Sequence, residues 1–100
     1  MDYYDRVKEL VELSSYDDSE AYEVDMGGMY WDESAQKYVY ITASGCSCWD
    51  GDYSEGCYDS LSELLKTEKV DERAYRPSLA TFERMAEEAT LKAIELGLIR

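Results

Sequence analysis

Residues 21–43 read AYEVDMGGMYWDESAQKYVYITA, and the alternation of their side chains predicts the sheet on which the rest of the chain packs. Apolar and acidic residues alternate from Tyr22 to Met26, and a second alternating run extends from Tyr38 to Ala43. Residues 32–37, between the two runs, are polar and typical of a turn. Two alternating runs joined by a short polar turn predict a β-hairpin.

The side-chain pattern of this hairpin predicts which of its faces is covered and where its first strand bends. The second strand carries two sets of residues on opposite faces: Val39, Ile41 and Ala43 on one, and Tyr38, Tyr40 and Thr42 on the other. We expect the aliphatic face to pack on the last helix, and Tyr38 and Tyr40 to face solvent. In the first strand, the adjacent Gly27 and Gly28 predict a bulge or bend, with a change of side-chain phase before Met29.

Helical spacing occurs on both sides of the hairpin. Residues 2–13 predict a short amphipathic helix that Asp2 caps, and residues 14–19 are typical of a turn. After the hairpin and a glycine-rich loop, Ser60 and Glu63 form a capping box, which predicts the start of a second helix.

The last helix is the strongest helical pattern in the chain. It follows a charged connector at residues 71–77, begins at Ser78 and has a suitable C-terminal cap in Gly97. Its apolar stripe consists of Leu79, Phe82, Ala86, Ala89, Ala93 and Leu96. The alanines let another backbone approach closely, either the sheet of the same chain or the same helix of a second copy in a homodimer. We favour the sheet, because a two-stranded hairpin is not stable without cover.

The predicted fold class is α+β, in a single domain of residues 1–100. It consists of a short N-terminal helix, the β-hairpin, and two C-terminal helices packed on the sheet. The glycine-rich loop at residues 44–59 leaves room for a third short strand. A loop of this length is uncommon in a small domain and often has a function.

All the cysteines of the chain lie in this loop: Cys46, Cys48 and Cys57. Three interpretations are open: a metal site that Asp50 or Asp52 completes, a disulfide from Cys57 to either of the other two, or three reduced thiols. We favour reduced thiols and expect no cofactor. A C-x-C pair without a second pair or a histidine is an incomplete zinc motif, and disulfides are rare in the cytosol.

The chain is strongly acidic, with 23 Asp and Glu against 10 Lys and Arg and a net charge of −13. Residues 1–59 hold 15 of the acids and 3 of the bases, together with nine of the ten tyrosines and both tryptophans. This charge argues against direct binding of DNA, RNA or an anionic membrane, since phosphate groups need cations opposite them.

The absence of histidine and of long apolar runs narrows the range of functions further. The chain has no histidine, so it contains neither a Ser-His-Asp triad nor a Cys-His pair, and we do not expect an enzyme. No apolar run reaches the ~18 residues of a membrane span. The first residues lack the basic and apolar regions of a signal peptide. We therefore expect a protein of the cytoplasm.

The segment YITASGCSC at residues 40–48, together with Tyr53 and the Ser60-Leu61 helix start, resembles small uncharacterised proteins encoded by bacteriophages of actinobacteria. In that group, a tyrosine-rich hairpin leads into a Ser-Gly-Cys-Ser-Cys motif, an aromatic and acidic stretch, and a Ser-Leu helix start. The resemblance covers residues 16–65. It implies a phage accessory protein that acts in a bacterial cytoplasm, and it implies no activity, cofactor or catalytic residue.

Two hypotheses about function follow. In the first, the protein is not an enzyme, and its acidic, tyrosine-rich face binds a host protein with a basic or aromatic-lined surface, as an inhibitor or a nucleic-acid mimic. The residues expected at this contact are Tyr38, Tyr40, Trp49, Asp50, Asp52 and Tyr53. The alternative is a metal-binding regulatory module built on the cysteines of the loop.

Overall fold

The computed structural model describes residues 1–69 and 77–99, which form three helices and four strands. In chain order the elements are α1 (Tyr3–Lys8), β1 (Val11–Asp17), β2 (Glu23–Asp32), β3 (Lys37–Cys46), β4 (Ser54–Tyr58), α2 (Leu61–Lys69) and α3 (Leu79–Glu95). The strands form one antiparallel sheet in the order β1-β2-β3-β4. The α+β class is confirmed, and β2 and β3 are the predicted hairpin, but the sequence analysis undercounted the strands.

The first additional strand, β1, lies where we predicted the end of a helix and a turn. Helix α1 is only six residues long, and the chain pairs with β2 from Val11 to Asp17. The register shifts between Glu12 and Ser14, so that a bulge at Leu13 interrupts the alternation. Val11 and Leu13 follow Tyr3, Val7 and Leu10 at a spacing close to that of a helix, and this is why the prediction was wrong.

The second additional strand, β4, lies in the glycine-rich loop, where the sequence left room for a third short strand. It pairs with β3 from Thr42 to Tyr38, and β3 itself continues to Cys46. The irregular part of the loop is therefore residues 47–53.

The predicted bulge at Gly27 and Gly28 is wrong. Strand β2 pairs with β3 without a break from Glu23 to Asp32, so the side-chain phase does not change. Both glycines are needed for a different reason, because the backbones of the neighbouring strands approach them closely. A Cβ at Gly27 would lie 2.4 Å from the carbonyl oxygen of Ile41, and one at Gly28 would lie 2.6 Å from that of Ser14.

The sheet is covered on both faces. Its helix face, under α2 and α3, carries Met29, Trp31, Tyr38 and Tyr40. Its loop face, which packs against residues of α1 and of the 47–53 loop, carries Met26, Tyr30, Val39, Ile41 and Ala43. The assignment of faces in the sequence analysis was therefore inverted, because α2 and α3 cover the tyrosine face and not the aliphatic one.

Tyr38 and Tyr40 consequently do not face solvent, and only 5% and 3% of these residues is exposed. The ring of Tyr38 lies 4.9 Å from that of Trp31, and the ring of Tyr40 lies 6.2 Å from that of Phe82, measured between centroids. Aromatic rings of this size contribute more buried area to a small core than aliphatic side chains do. These two residues belong to the core.

Helix α3 packs on the helix face, mainly over β1. Its N-cap is Ser78, whose Oγ accepts from the backbone N–H of Thr81, and Gly97 ends it with a φ of +78°, as predicted. Ala89 and Ala93 are fully buried within the chain. These two alanines therefore pack on the sheet and are not available for the homodimer considered above, whereas Leu79 and Leu96 at the ends of the predicted stripe are 57% and 43% exposed. Of the predicted connector, only Pro77 lies among the described residues.

No helix among the described residues is both long and apolar enough to cross a membrane. The longest, α3, has 17 residues and carries charged side chains on its exposed side.

Asp32 fixes the β2–β3 turn and links it to α1. Its Oδ1 accepts from the backbone N–H and hydroxyl of Ser34 and from the N–H of Ala35, at 3.1, 2.8 and 3.2 Å. Its Oδ2 accepts from Nη2 of Arg6 at 3.1 Å. Hydrogen bonding to Ser34, followed by that to Arg6, lowers the pKa of Asp32 below its ordinary value.

A carboxyl group whose pKa is lowered by folding stabilises the protein above its unfolded pKa, and this contribution is lost as the pH falls through the folded value. We expect Asp32→Asn to lower the free energy of unfolding by about 1 kcal/mol near neutral pH. The difference from wild type should disappear between about pH 5 and pH 2. Urea unfolding over this range measures it, with Glu95→Gln on the exposed side of α3 as control. A difference that is constant with pH would contradict the ionic role of Asp32.

Candidate functional site

The structure brings together four of the six predicted contact residues. Trp49, Asp50, Asp52 and Tyr53 lie in the 47–53 loop, which crosses the loop face and contacts the N-terminal end of α1. We call the surface formed by these four residues with Asp2 and Tyr4 the α1–loop surface. Tyr38 and Tyr40 are not part of it, since they lie in the core on the helix face.

Backbone contacts hold the loop against α1. The N–H of Trp49 donates to the carbonyl oxygen of Cys46 at 3.0 Å, and the N–H of Tyr3 donates to that of Gly51 at 2.8 Å. Gly51 has a φ of +98°, and a Cβ at this position would lie 2.5 Å from Cβ of Asp2. Only glycine meets both conditions without strain. The loop is thus built to dock on the first turn of α1.

Aromatic rings connect the loop to the helix. The ring of Tyr4 is edge-on to that of Trp49, with the centroids 5.9 Å apart, and Tyr3 contacts both rings. Tyr3 is buried, whereas Tyr4 is 51% exposed. The indole N–H of Trp49 donates to the carbonyl oxygen of Asp52 at 2.9 Å, which fixes the orientation of the ring. The ring of Trp49 is therefore fixed, and the half-exposed ring of Tyr4 packs against it.

Carboxylates adjacent in sequence to the aromatic residues line one depression. Asp2, Asp50 and Asp52 line a shallow depression of about 330 Å³ together with Met1 and Gly51. Oδ1 of Asp50 accepts from the N–H of Asp52 at 3.3 Å, and Oδ1 of Asp52 accepts from the N–H of Tyr53 at 3.0 Å. The second oxygen of each loop carboxylate has no part in these contacts. The carboxylates of Asp50 and Asp52 are therefore oriented acceptors for a cationic group.

Arg6 of α1 is neutralised by carboxylates of the same chain. Nε of Arg6 donates to Glu55 at 2.6 Å, and its two other nitrogens contact Asp32 and Glu9 at 3.1 and 3.2 Å. The hydrogen bond to Glu55, the largest influence, raises the pKa of Arg6. These ion pairs anchor α1 to β2 and β4. Because Arg6 contacts three carboxylates, it does not offset the charge of the α1–loop surface.

A second depression, of about 250 Å³, lies between β3, β4 and α2. It is lined mainly by polar residues, and the hydroxyl of Tyr58 donates to Oε2 of Glu68 there at 2.9 Å. Tyr40 is the one predicted contact residue that borders it. This depression lies on the helix face and is separate from the α1–loop surface.

The three cysteines do not come together. Cys57, on β4, pairs with Val39 of β3. Cys46 lies seven residues beyond Val39 on β3, so Cys46 and Cys57 are about 23 Å apart at ~3.3 Å per residue. A disulfide needs Cα atoms within about 7 Å of each other, so Cys57 cannot bridge to Cys46 or Cys48. Among residues 1–69 and 77–99, no three Cys, Asp or Glu side chains are placed to hold a metal ion. The three-thiol site considered above is incompatible with this register.

The sequence analysis missed Asp2 and Tyr4 as members of the site. Both were assigned only to the helix, Asp2 as its cap. A signal was available, because Tyr3 continues the apolar stripe of α1 toward Val7, whereas Tyr4 falls outside it. An aromatic residue outside the apolar stripe of a helix is exposed, and it is therefore a candidate for binding.

The α1–loop surface is open, aromatic and acidic. Comparison with protein-family models, with curated proteins and with solved structures finds no match to this chain. The function is therefore inferred from this surface and from the sequence.

Proposed function

We propose that this protein is a non-enzymatic binding protein of the phage accessory type, which engages a basic surface of a host protein in the bacterial cytoplasm. The contact is the α1–loop surface. The observation that carries the proposal is the exposed ring of Tyr4 against Trp49, beside the carboxylates of Asp2, Asp50 and Asp52.

The chemistry of this surface fits arginine and lysine side chains. Carboxylates accept charge-assisted hydrogen bonds from guanidinium and ammonium groups, and the face of an aromatic ring attracts the same cations. Tyrosine and tryptophan are also the residues most often found at the energetic centre of protein interfaces. Because Trp49 and the loop backbone are already fixed, little conformational entropy is lost on binding.

The net charge of the chain supports fast association. A molecule with a formal charge of −13 attracts a basic partner over distances beyond direct contact, and salt weakens this attraction. The same charge would let the protein occupy a nucleic-acid-binding groove and act as an inhibitor. The metal-binding alternative is not retained, because the three cysteines are too far apart.

The proposal is tested with the purified full chain and a fluorescent peptide rich in arginine and lysine. We expect Asp50→Asn with Asp52→Asn, and separately Tyr4→Ala, to weaken binding about tenfold, because each removes a contact at the centre of the surface. Asparagine keeps the acceptor Oδ1 that orders the loop. Fluorescence anisotropy measures the dissociation constants at low and physiological salt.

Matched controls lie on α3, on the opposite face of the sheet. Glu83→Gln with Glu87→Gln removes two charges from exposed positions, and Leu91→Ala removes an exposed apolar side chain. We expect these variants to bind within about twofold of wild type at physiological salt. Equal weakening by both double variants would assign binding to the overall charge and contradict a specific α1–loop contact.

The same variants identify the class of host partner in lysate. A partner that is retained by wild type and by the α3 variants, but lost with the α1–loop variants, supports the proposal. If duplex DNA added in excess releases that partner, the protein occupies a nucleic-acid site. If DNA has no effect, the nucleic-acid-mimic part of the proposal is wrong.

A further inference from the structure

Cys46 and Cys48 lie within one tight turn at the end of β3. Cys46 is the last residue of the strand, opposite Glu23, and its carbonyl oxygen accepts from the N–H of Trp49 at 3.0 Å. Both cysteines are exposed. Residues two apart in a turn of this kind have Cα atoms within the ~4.4–6.8 Å that a disulfide spans. The Cα separation of the two cysteines is therefore compatible with a disulfide.

We propose that Cys46 and Cys48 form a thiol–disulfide exchange site whose substrates are small disulfides of the glutathione class. In the first step, the Cys46 thiolate attacks one sulfur of the disulfide, and the first small thiolate leaves and takes up the proton that Cys46 released. In the second step, Cys48 gives up its proton and attacks the Cys46 sulfur. The second small thiolate leaves with that proton. Two protein thiols are oxidised to one disulfide, and the small disulfide is reduced to two thiols.

The surroundings of the pair separate the two roles. Hydrogen bonds from the thiol and then from the backbone N–H of Cys48 lower the pKa of Cys46. The pKa of Cys48 is raised, first by its hydrogen bond to Cys46, then by the charge of Cys46, and to a smaller degree by Asp50. The attacking thiol is the one with the larger thiolate fraction, so Cys46 reacts first and Cys48 resolves the mixed disulfide.

Cys57 provides a comparison within the same chain. It lies on β4, and its thiol contacts Oε2 of Glu55 at 3.6 Å. Burial, followed by the charge of Glu55, raises the pKa of Cys57. It is also about 23 Å from Cys46, at ~3.3 Å per residue along β3, and cannot act as a resolving thiol. Cys57 should therefore form only a slow mixed disulfide.

The test treats the fully reduced protein with glutathione disulfide, stops the reaction with acid and measures intact mass and peptide maps over time. In a Cys57→Ser variant, we expect the loss of two hydrogen atoms within residues 46–48 and no lasting glutathione adduct. With Cys48→Ser, the adduct should persist on Cys46. Cys46 should react at least about threefold faster than Cys57, because its lowered pKa increases the thiolate fraction by more than the accompanying loss of nucleophilicity offsets.

The rates at which Cys46 and Cys57 react in protein unfolded by urea serve as the reference. The preference for Cys46 should disappear there, because the turn that joins the two cysteines is absent. The proposal is wrong if the folded Cys57→Ser protein accumulates glutathione on both remaining cysteines, or if Cys46 reacts no faster than Cys57. Neither result depends on a host partner, so this test and that of the proposed function can fail separately.

Discussion

Gly27→Ala should destabilise the protein by about 3 kcal/mol or more, a large part of the ~5–15 kcal/mol that a domain of this size has. A Cβ at this position would lie 2.4 Å from the carbonyl oxygen of Ile41 and 3.1 Å from Cα of Thr42. Both are backbone atoms of the neighbouring central strand and cannot rotate away. The strands β2 and β3 would have to separate where the sheet is covered on both faces.

Gly45→Ala is the matched control for this substitution. It lies on β3, and the atoms nearest to its added Cβ, at 3.1 to 3.4 Å, belong to the side chain of Trp49, so that a displacement of a few tenths of an ångström relieves the contact. We expect a loss below about 1 kcal/mol. Urea unfolding followed by circular dichroism measures both variants. An equal loss of unfolding free energy in Gly27→Ala and Gly45→Ala would contradict the close approach of β2 and β3 at Gly27.

Tyr38→Ala should lower the free energy of unfolding by about 3–5 kcal/mol, the usual cost of removing a buried aromatic side chain. Tyr38 is 5% exposed and packs on Trp31. The substitution would leave a cavity under α2 and α3 and remove the ring contact. This result would separate the two interpretations of the tyrosine-rich hairpin, because a solvent-facing binding residue could be replaced with almost no effect on stability.

Tyr22→Ala is the control, since Tyr22 is 77% exposed beside the same hairpin. Its replacement should change the free energy of unfolding by less than about 0.5 kcal/mol. Thermal and urea unfolding measure both variants, and the near-ultraviolet circular dichroism of Trp31 reports the loss of packing in Tyr38→Ala. A Tyr38→Ala protein as stable as Tyr22→Ala would place Tyr38 on the surface and contradict the assignment of faces.

The parts of the fold that could be predicted from the sequence depend on local chemistry. Ser78 and Gly97 bound α3 because the cap residues act within one turn of the helix. The alternation in residues 21–43 identifies β2 and β3 because each strand has a period of two. Strand β1 was missed because the bulge at Leu13 breaks that period.

The candidate site was predicted in part. Trp49, Asp50, Asp52 and Tyr53 were assigned to a surface loop, and they lie there. The position of Tyr4 outside the apolar stripe indicates only that it is exposed. Its membership of the site depends on the contact with Trp49, which is far away in the chain. The cysteines in the glycine-rich loop could not be resolved by spacing alone, because a strand within that loop carries Cys57 away from the other two.

The sequence by itself determined the α+β class, the central hairpin, the limits of the last helix and the acidic, aromatic character of the 47–53 loop. Each of these follows from residues close together in the chain. Only the tertiary structure decided which face of the hairpin the helices cover. Both faces of β3 are apolar enough to be buried, and alternation cannot rank one above the other. Long-range packing placed Tyr38 and Tyr40 inside and left Tyr4 outside.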